Sequence, residues 1–298
     1  MSLLTRISTL IGLLLAMGVA AAETGDLKHP DWHPDGRLLV AEGSCAGSID
    51  LYLIDVEKKT VQLVWDGTQT EGYPRWFYDG KRIAFHQIDD KRESRIFLAK
   101  LSPEGDISDV VRISEGPFDI EPAPSPDGSW IVYSQRGEKG LDIALLDLSG
   151  ERTSRVWKTE SAENFPSWHP GGSAITFYAR KPSGTQIYSR ELESDQIKAL
   201  TPGEGPNFVG HLSPDGGLLA YSSERSGDRE LYIRDLLTGE EQRVTERAGR
   251  DGYAKFSPGG DYLAWHSVID EKFTEIRLLN LESGEMSEFS CRDWSGER

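Results

Sequence analysis

Leu212-Ser213-Pro214-Asp215-Gly216-Gly217-Leu218-Leu219-Ala220-Tyr221-Ser222 decides the fold, because the same turn and the same apolar run return along the whole chain. The turn recurs as Pro34-Asp35-Gly36, Tyr78-Asp79-Gly80, Pro126-Asp127-Gly128, Pro170-Gly171-Gly172, Pro214-Asp215-Gly216 and Pro258-Gly259-Gly260. Its closing glycines lie 44, 48, 44, 44 and 44 residues apart. A repeat of this length marks a propeller or a solenoid. Pro fits the first central position of a type I turn, Asp can bond its own backbone, and Gly accepts the left-handed conformation that follows in a bulged hairpin. Each turn therefore joins two strands.

The residues after the turn choose between the two architectures. Leu39, Ile83, Ile131, Ile175, Leu219 and Leu263 stand three places beyond the glycine, and Ala41, Phe85, Tyr133, Phe177, Tyr221 and Trp265 five places beyond it. The smaller Val40, Ala84, Val132, Thr176, Ala220 and Ala264 lie between them, so both faces of this strand are buried, as in stacked sheets. A third strand reads 50–56, 95–101, 142–148, 186–192, 230–236 and 275–281, and a fourth 60–65, 110–114, 154–158, 196–200, 241–245 and 286–290. An extended stretch ending near Trp32, Trp76, Pro124, Trp168, Leu212 or Phe256 supplies the first. Four antiparallel strands in each of six units predict an all-β, six-bladed β-propeller over 23–290, followed by a tail at 291–298. The blades fall at about 29–66, 73–115, 117–159, 163–202, 206–247 and 250–290, and the longer second interval is assigned to an extended connection from Ser102 to Asp109.

The first 22 residues read as a signal peptide, with Arg6, an apolar run from Ile7 to Ala20, and small residues for cleavage after Ala22. Removing Arg6 takes the net charge from -16 to -17. The remainder holds no second apolar stretch long enough to span a bilayer, so a periplasmic or secreted protein is expected. An acidic chain of this kind lacks the basic surface that a phosphate backbone requires, which removes nucleic acid from the partner classes. The apolar share of 37%, raised to about 47% by 31 glycines, is that of a folded domain.

Two stretches carry a family resemblance. Pro166-Ser167-Trp168-His169-Pro170-Gly171-Gly172 with Ala174-Ile175-Thr176-Phe177, and Leu212-Ser213-Pro214-Asp215-Gly216 with Leu218-Leu219-Ala220-Tyr221-Ser222 and Glu230-Leu231-Tyr232, resemble the WD40-like PD40 repeat of TolB-like six-bladed propellers. The resemblance covers all six units and implies the fold. It leaves function open, because similar blades serve in periplasmic scaffolds, in the gating domains of prolyl oligopeptidase-like enzymes and in oligogalacturonate lyases.

Catalytic motifs are scarce. No Cys-x-x-Cys, His-Glu-x-x-His or P-loop pattern occurs, and Gly203-Glu204-Gly205 runs into Pro206 without a helix to receive a phosphate. Gly43-Ser44-Cys45-Ala46-Gly47 has the spacing of a nucleophile elbow, yet it lies between two antiparallel strands where the elbow needs a strand-to-helix turn. The chain ends eight residues after the last predicted strand, so no hydrolase domain is expected. His33 and His169 share one repeat slot and His86 and His266 another, while His29 and His211 fall in first strands near the channel, where a metal ligand or base could sit.

One column stands out. Nine positions before each turn glycine lie Leu27, Glu71, Asp119, Glu163, Asn207 and Asp251. If the ring brings them to one channel mouth, Glu71, Asp119, Glu163 and Asp251 are candidate ligands for a divalent cation such as calcium, or an acidic ring for a basic group. The alternative is that they cap loops between blades. Tyr73, Phe165, Phe208 and Tyr253 flank the column as candidate interface anchors.

The two cysteines complete the picture. Strands alternate in direction within a blade, so the loop after the second strand and the end of the fourth emerge on one face. The first holds Cys45 in blade one and the second Cys291 in blade six, which are neighbours in a closed ring. A disulfide across that seam is expected of an exported protein. The sequence thus points to a monomeric, non-catalytic scaffold that requires no cofactor and binds an envelope protein or peptide. Its rival is a metal-assisted enzyme on the same propeller, such as an oligogalacturonate-type polysaccharide lyase, drawing on His29, His211 and the acidic column.

Overall fold

A computed structural model describes residues 25–149, 154–157, 161–181, 184–247, 249–294 and 296. The expected signal peptide and the end of the third blade's fourth strand at Lys158 lie outside the described residues. The rest folds as a six-bladed propeller, each blade an antiparallel sheet of four consecutive strands. The innermost strands are Leu27–Trp32, Thr70–Trp76, Asp119–Pro124, Glu163–Trp168, Asn207–Leu212 and Arg250–Phe256, and they end at the residues the repeat picks out. They line up side by side around the axis, with the last returning to the first.

The turns form as their residues demand. In all six, the amide of the closing glycine donates to the carbonyl three residues earlier, from Gly36 to His33 at 3.0 Å through to Gly260 to Ser257 at 2.9 Å, and the glycine φ lies between 64° and 78°. An L side chain would be strained at such angles. Asp35 Oδ1 accepts from the amide of Arg37, and Asp215 Oδ1 from that of Gly217, which holds the turn closed. His33 and His169 act between blades: His33 Nε2 lies 3.0 Å from the Gly80 carbonyl, and His169 packs on Gly216.

The second interval is accommodated differently from the expected long connection. The fourth strand of blade two runs Ile107–Arg112, so the intervening turn is only 102–106, and the strand carries a bulge that takes up one extra residue opposite Ala99, with Asp109 at φ 52° and its carboxylate 2.7 Å from Lys100 Nζ. Ring closure needs no exchanged strand. Cys45 and Cys291 are joined as a disulfide, with Cα atoms 5.1 Å apart. Asp26 Oδ1 accepts from the Thr274 amide across the same seam. Beyond Cys291 the chain continues into blade one, where Trp294 pairs with Val61 and packs edge-on against Tyr52. The tail is therefore part of the closure.

Candidate functional site

A bulge in every innermost strand builds the axis. Pairing with the second strand slips between the eighth and fifth residues before the turn glycine in all six blades. His29, Tyr73, Glu121, Phe165, Val209 and Tyr253, seven places before the glycine, all adopt positive φ, between 38° and 60°. Non-glycine residues hold such angles at a cost of about 1–3 kcal/mol each, and bulges of this kind re-aim side chains. Four of the freed amides are taken up by the preceding blade. Tyr73 donates to Glu42 Oε2 at 2.8 Å and Phe165 to Glu121 Oε2 at 2.9 Å, while the amides of His29 and Glu121 lean on His266 Nδ1 and His86 Nδ1 at 3.4 Å.

The re-aimed rings meet across the axis and plug it. His29 stacks on Tyr73 with centroids 3.9 Å apart, Tyr253 packs edge-on to His29 at 4.2 Å, and Phe165 edge-on to Tyr253 at 5.1 Å. Three of the four expected aromatic anchors thus converge, but inside the channel. Phe208 stays with Tyr178 and under the Arg229 guanidinium.

Burial sets the protonation of this layer. Burial pushes the Glu121 carboxyl up to about 7 against the hydrogen bonds from Ser134 and the Phe165 amide and the charge of Arg75. Glu42 is equally buried, but the charge and hydrogen bond of His29 and the Tyr73 amide hold it below its ordinary value. Burial likewise pulls His86 down to about 4. The unfolded Glu121 carboxyl titrates near 4.5, so between pH 4.5 and 7 the folded chain binds the extra proton, and stability falls as pH rises through that window. Glu121→Gln should leave stability unchanged at pH 4 and raise it at pH 8 by about 1–3 kcal/mol. Urea unfolding at both pH values checks this; equal effects at the two would contradict it.

Members of the acidic column make local hydrogen bonds, while Glu71 Oε2 is buried without a hydrogen-bond partner. Glu71 Oε1 accepts from Gln87, Asp119 Oδ2 from the Gly116 amide, and Asp251 Oδ1 from Ser267 and the Trp265 indole, while Asn207 donates to Gln186 and to the Pro202 carbonyl. Glu163 is buried like the others, and Leu27 lies in the apolar seam between blades one and six. Among the described residues no three His, Cys, Asp or Glu side chains gather closely enough to hold a metal ion. His29 and His211 do not come together either: His29 belongs to the plug, and His211 lies outside it.

The axis opens instead on the face that carries the turns. A cavity of about 420 Å³ is lined by all six residues five places before the glycine, Asp31, Arg75, Ala123, Ser167, His211 and Lys255. All six residues of the next position line it too, Trp32, Trp76, Pro124, Trp168, Leu212 and Phe256, with turn prolines at the rim and half-exposed Tyr78 beside them. On the floor, Asp31 Oδ1 lies 3.1 Å from Arg75 Nη1 and 3.0 Å from Lys255 Nζ, and Asp31 Oδ2 accepts from the Trp76 amide at 2.8 Å. His211 is 3% exposed; its Nδ1 is 3.1 Å from Ser167 Oγ and its Nε2 has no protein partner. A larger hollow of about 610 Å³ lies off the axis, between 62–66 of blade one and 104–107 of blade two, where Gln62 bonds the Glu104 carbonyl across it.

Only His211 of this floor is singled out by reading motifs. The rest was open to a column count five places before each glycine, where Asp31, Arg75 and Lys255 stand with Ser167 and His211 in a column whose one apolar member is Ala123.

Six closed blades around a plugged axis, with a pocket at its turn-bearing end, define the class of protein as a six-bladed propeller. The chain belongs to the TolB beta propeller domain family, whose model matches residues 16–183, 62–228 and 143–294. None of the curated proteins matches it. Among solved structures it is similar to TolB from Acinetobacter baumannii, with a TM-score of 0.70 and 20% identity over 89% of this chain and 63% of that one. It is also similar to a putative TolB from Agrobacterium tumefaciens, with a TM-score of 0.67 and 24% identity over 79% and 86% of the two chains. An oligogalacturonate lyase in complex with manganese follows at a TM-score of 0.56 and 15% identity, over 85% of this chain and 89% of the lyase. The chain spans less than two thirds of the Acinetobacter protein, and at these identities the likeness is one of fold.

Proposed function

We propose that this protein is an exported, non-catalytic propeller that binds a partner protein or peptide through its axial mouth. The observation that carries the reading is the turn-face cavity itself, with aromatic walls and a floor of buried charged and polar groups converging from different blades. Ligand sites have this composition: mostly apolar walls with a few placed polar groups. Trp, Tyr and Arg, the residues that anchor interfaces, are concentrated here. The seam disulfide supports an oxidising compartment. No helix among the described residues is long and apolar enough to cross a membrane.

Affinity capture of envelope proteins on the mature chain tests the reading. One partner should be retained, with or without chelator, and should be lost when Trp168→Ala and Tyr78→Ala open the wall and rim of the mouth. No retained partner, together with His211-dependent cleavage of an acidic polysaccharide, would replace the scaffold with the lyase reading.

A further inference from the structure

The floor of the axial cavity is charged against the character of the chain. Across a protein of net charge -16, it gathers Arg75 and Lys255 around the single carboxylate of Asp31, leaving one positive charge uncompensated among the residues that line it. Both cations are held by that one carboxylate, and one Asp31 oxygen contacts both. Burial, followed by repulsion from Arg75, pulls the Lys255 ammonium down to about 8 even with Asp31 beside it. His211 is held neutral by burial and by the same two cations. Nδ1 pairs with the Ser167 hydroxyl, and the buried Nε2 has nothing to bond; in the tautomer in which Ser167 donates to Nδ1, that nitrogen is a free N–H donor. The indole Nε1 of Trp76, 4% exposed on the same wall, also lacks a partner. Buried donors are rarely left unpaired without a reason, and here two of them accompany an excess cation in one cavity.

We infer that the axial cavity selects an acidic side chain, an Asp or Glu of the partner peptide, with its carboxylate received by Arg75, Lys255 and the His211 Nε2–H. This rests on the axial mouth being the partner site. A carboxylate fits where a spherical anion would not, because its two oxygens can be shared between the guanidinium fork and a second donor. The walls specify what accompanies it. Trp32, Trp168, Phe256 and the rim prolines suit apolar neighbours of the acidic residue, whereas the hydroxyl-rich ring of an acidic sugar would find few uncommitted polar groups, since the Ser167 hydroxyl is paired with His211 and that of Ser257 donates to Asp261 and accepts from the Tyr262 amide. Leaving a buried charge unpaired costs far more than removing an exposed one, so the carboxylate should dominate selectivity.

The test uses blocked peptides on the full mature chain at pH 7: acetyl-Leu-Glu-Leu-amide, its Gln counterpart, and acetyl-Leu-Leu with a free C-terminus. Indole and imidazole NMR signals report binding at Trp76 and His211. The Glu peptide should shift both and bind at least about tenfold more tightly than the Gln peptide, and Lys255→Gln should erase the difference while leaving weak apolar binding of both. Tighter binding of the free C-terminus than of the Glu peptide would assign the carboxylate to a chain end and overturn the side-chain inference. Equal binding of Glu and Gln peptides, or selectivity that survives Lys255→Gln, would overturn it as well. If either result accompanies partner capture that still depends on Trp168 and Tyr78, the acid specificity fails and the scaffold reading stands. Galacturonate oligomers shifting these signals in place of peptides would overturn both.

Discussion

Reduction of the Cys45–Cys291 bridge should lower the melting temperature by roughly 10–20 °C, the largest effect expected of any change to this protein. The two cysteines are separated by 246 residues, so the bridge closes a loop of nearly the whole domain, and the chain-entropy model assigns such a loop about 5 kcal/mol. A propeller is vulnerable where its ends meet, because the other blade contacts are joined through continuous chain. At this seam the bridge is backed by the Asp26–Thr274 hydrogen bond, by Leu27 packed with Ala264, Ile276 and Phe289, and by Trp294 on blade one. These contacts should keep the reduced ring folded at room temperature. The double variant Cys45→Ser, Cys291→Ser should melt with the reduced parent and no longer respond to reductant. A shift of only a degree or two would mean that the tail and the apolar seam hold the ring by themselves.

Asp31→Ala should come next, costing about 3–5 kcal/mol and on the order of 10 °C in melting temperature. Its carboxylate is shared by strands of three blades: it faces Arg75 and the Trp76 amide of blade two and Lys255 of blade six. Without it two buried cations confront each other and a backbone N–H loses its acceptor. Asp31→Asn, which keeps an acceptor for that amide, should cost less. Thermal melts of the two variants beside the parent decide the matter, and an Asp31→Ala protein within about 1 kcal/mol of the parent would show that solvent already screens the floor.

The fold was legible because one period governs it. Six turns with glycines at a fixed spacing, and the alternation of large and small residues after them, dictate strand order and burial, and the seam cysteines follow from strand direction alone. The site was less legible, for two physical reasons. A left-handed residue at His29, Tyr73, Glu121, Phe165, Val209 and Tyr253 leaves little trace in a sequence, since none is Gly or Asn, yet it turns those side chains into the axis and shifts the rest of the strand by one place. The acids nine places before the glycine could be counted from the sequence; their hydrogen bonds to Gln87, to the Gly116 amide between blades two and three, and to Ser267 could not. Carboxylates that share a column need not share a cavity. The cations at Arg75 and Lys255 were equally visible as letters, but their meeting at Asp31 depends on the bulge and on the closing of the ring.

Photo-crosslinking from two positions tests the central claim most directly. Position 78, where Tyr78 stands half-exposed at the cavity rim, and position 49, where Ile49 is exposed in the loop between the second and third strands on the opposite face, would each carry a benzoylphenylalanine in otherwise unaltered mature protein. The axial-mouth account predicts a single partner adduct from position 78, diminished by Lys255→Gln, and none from position 49. An adduct from position 49 with none from position 78 would place the binding surface on the disulfide-bearing face and contradict it.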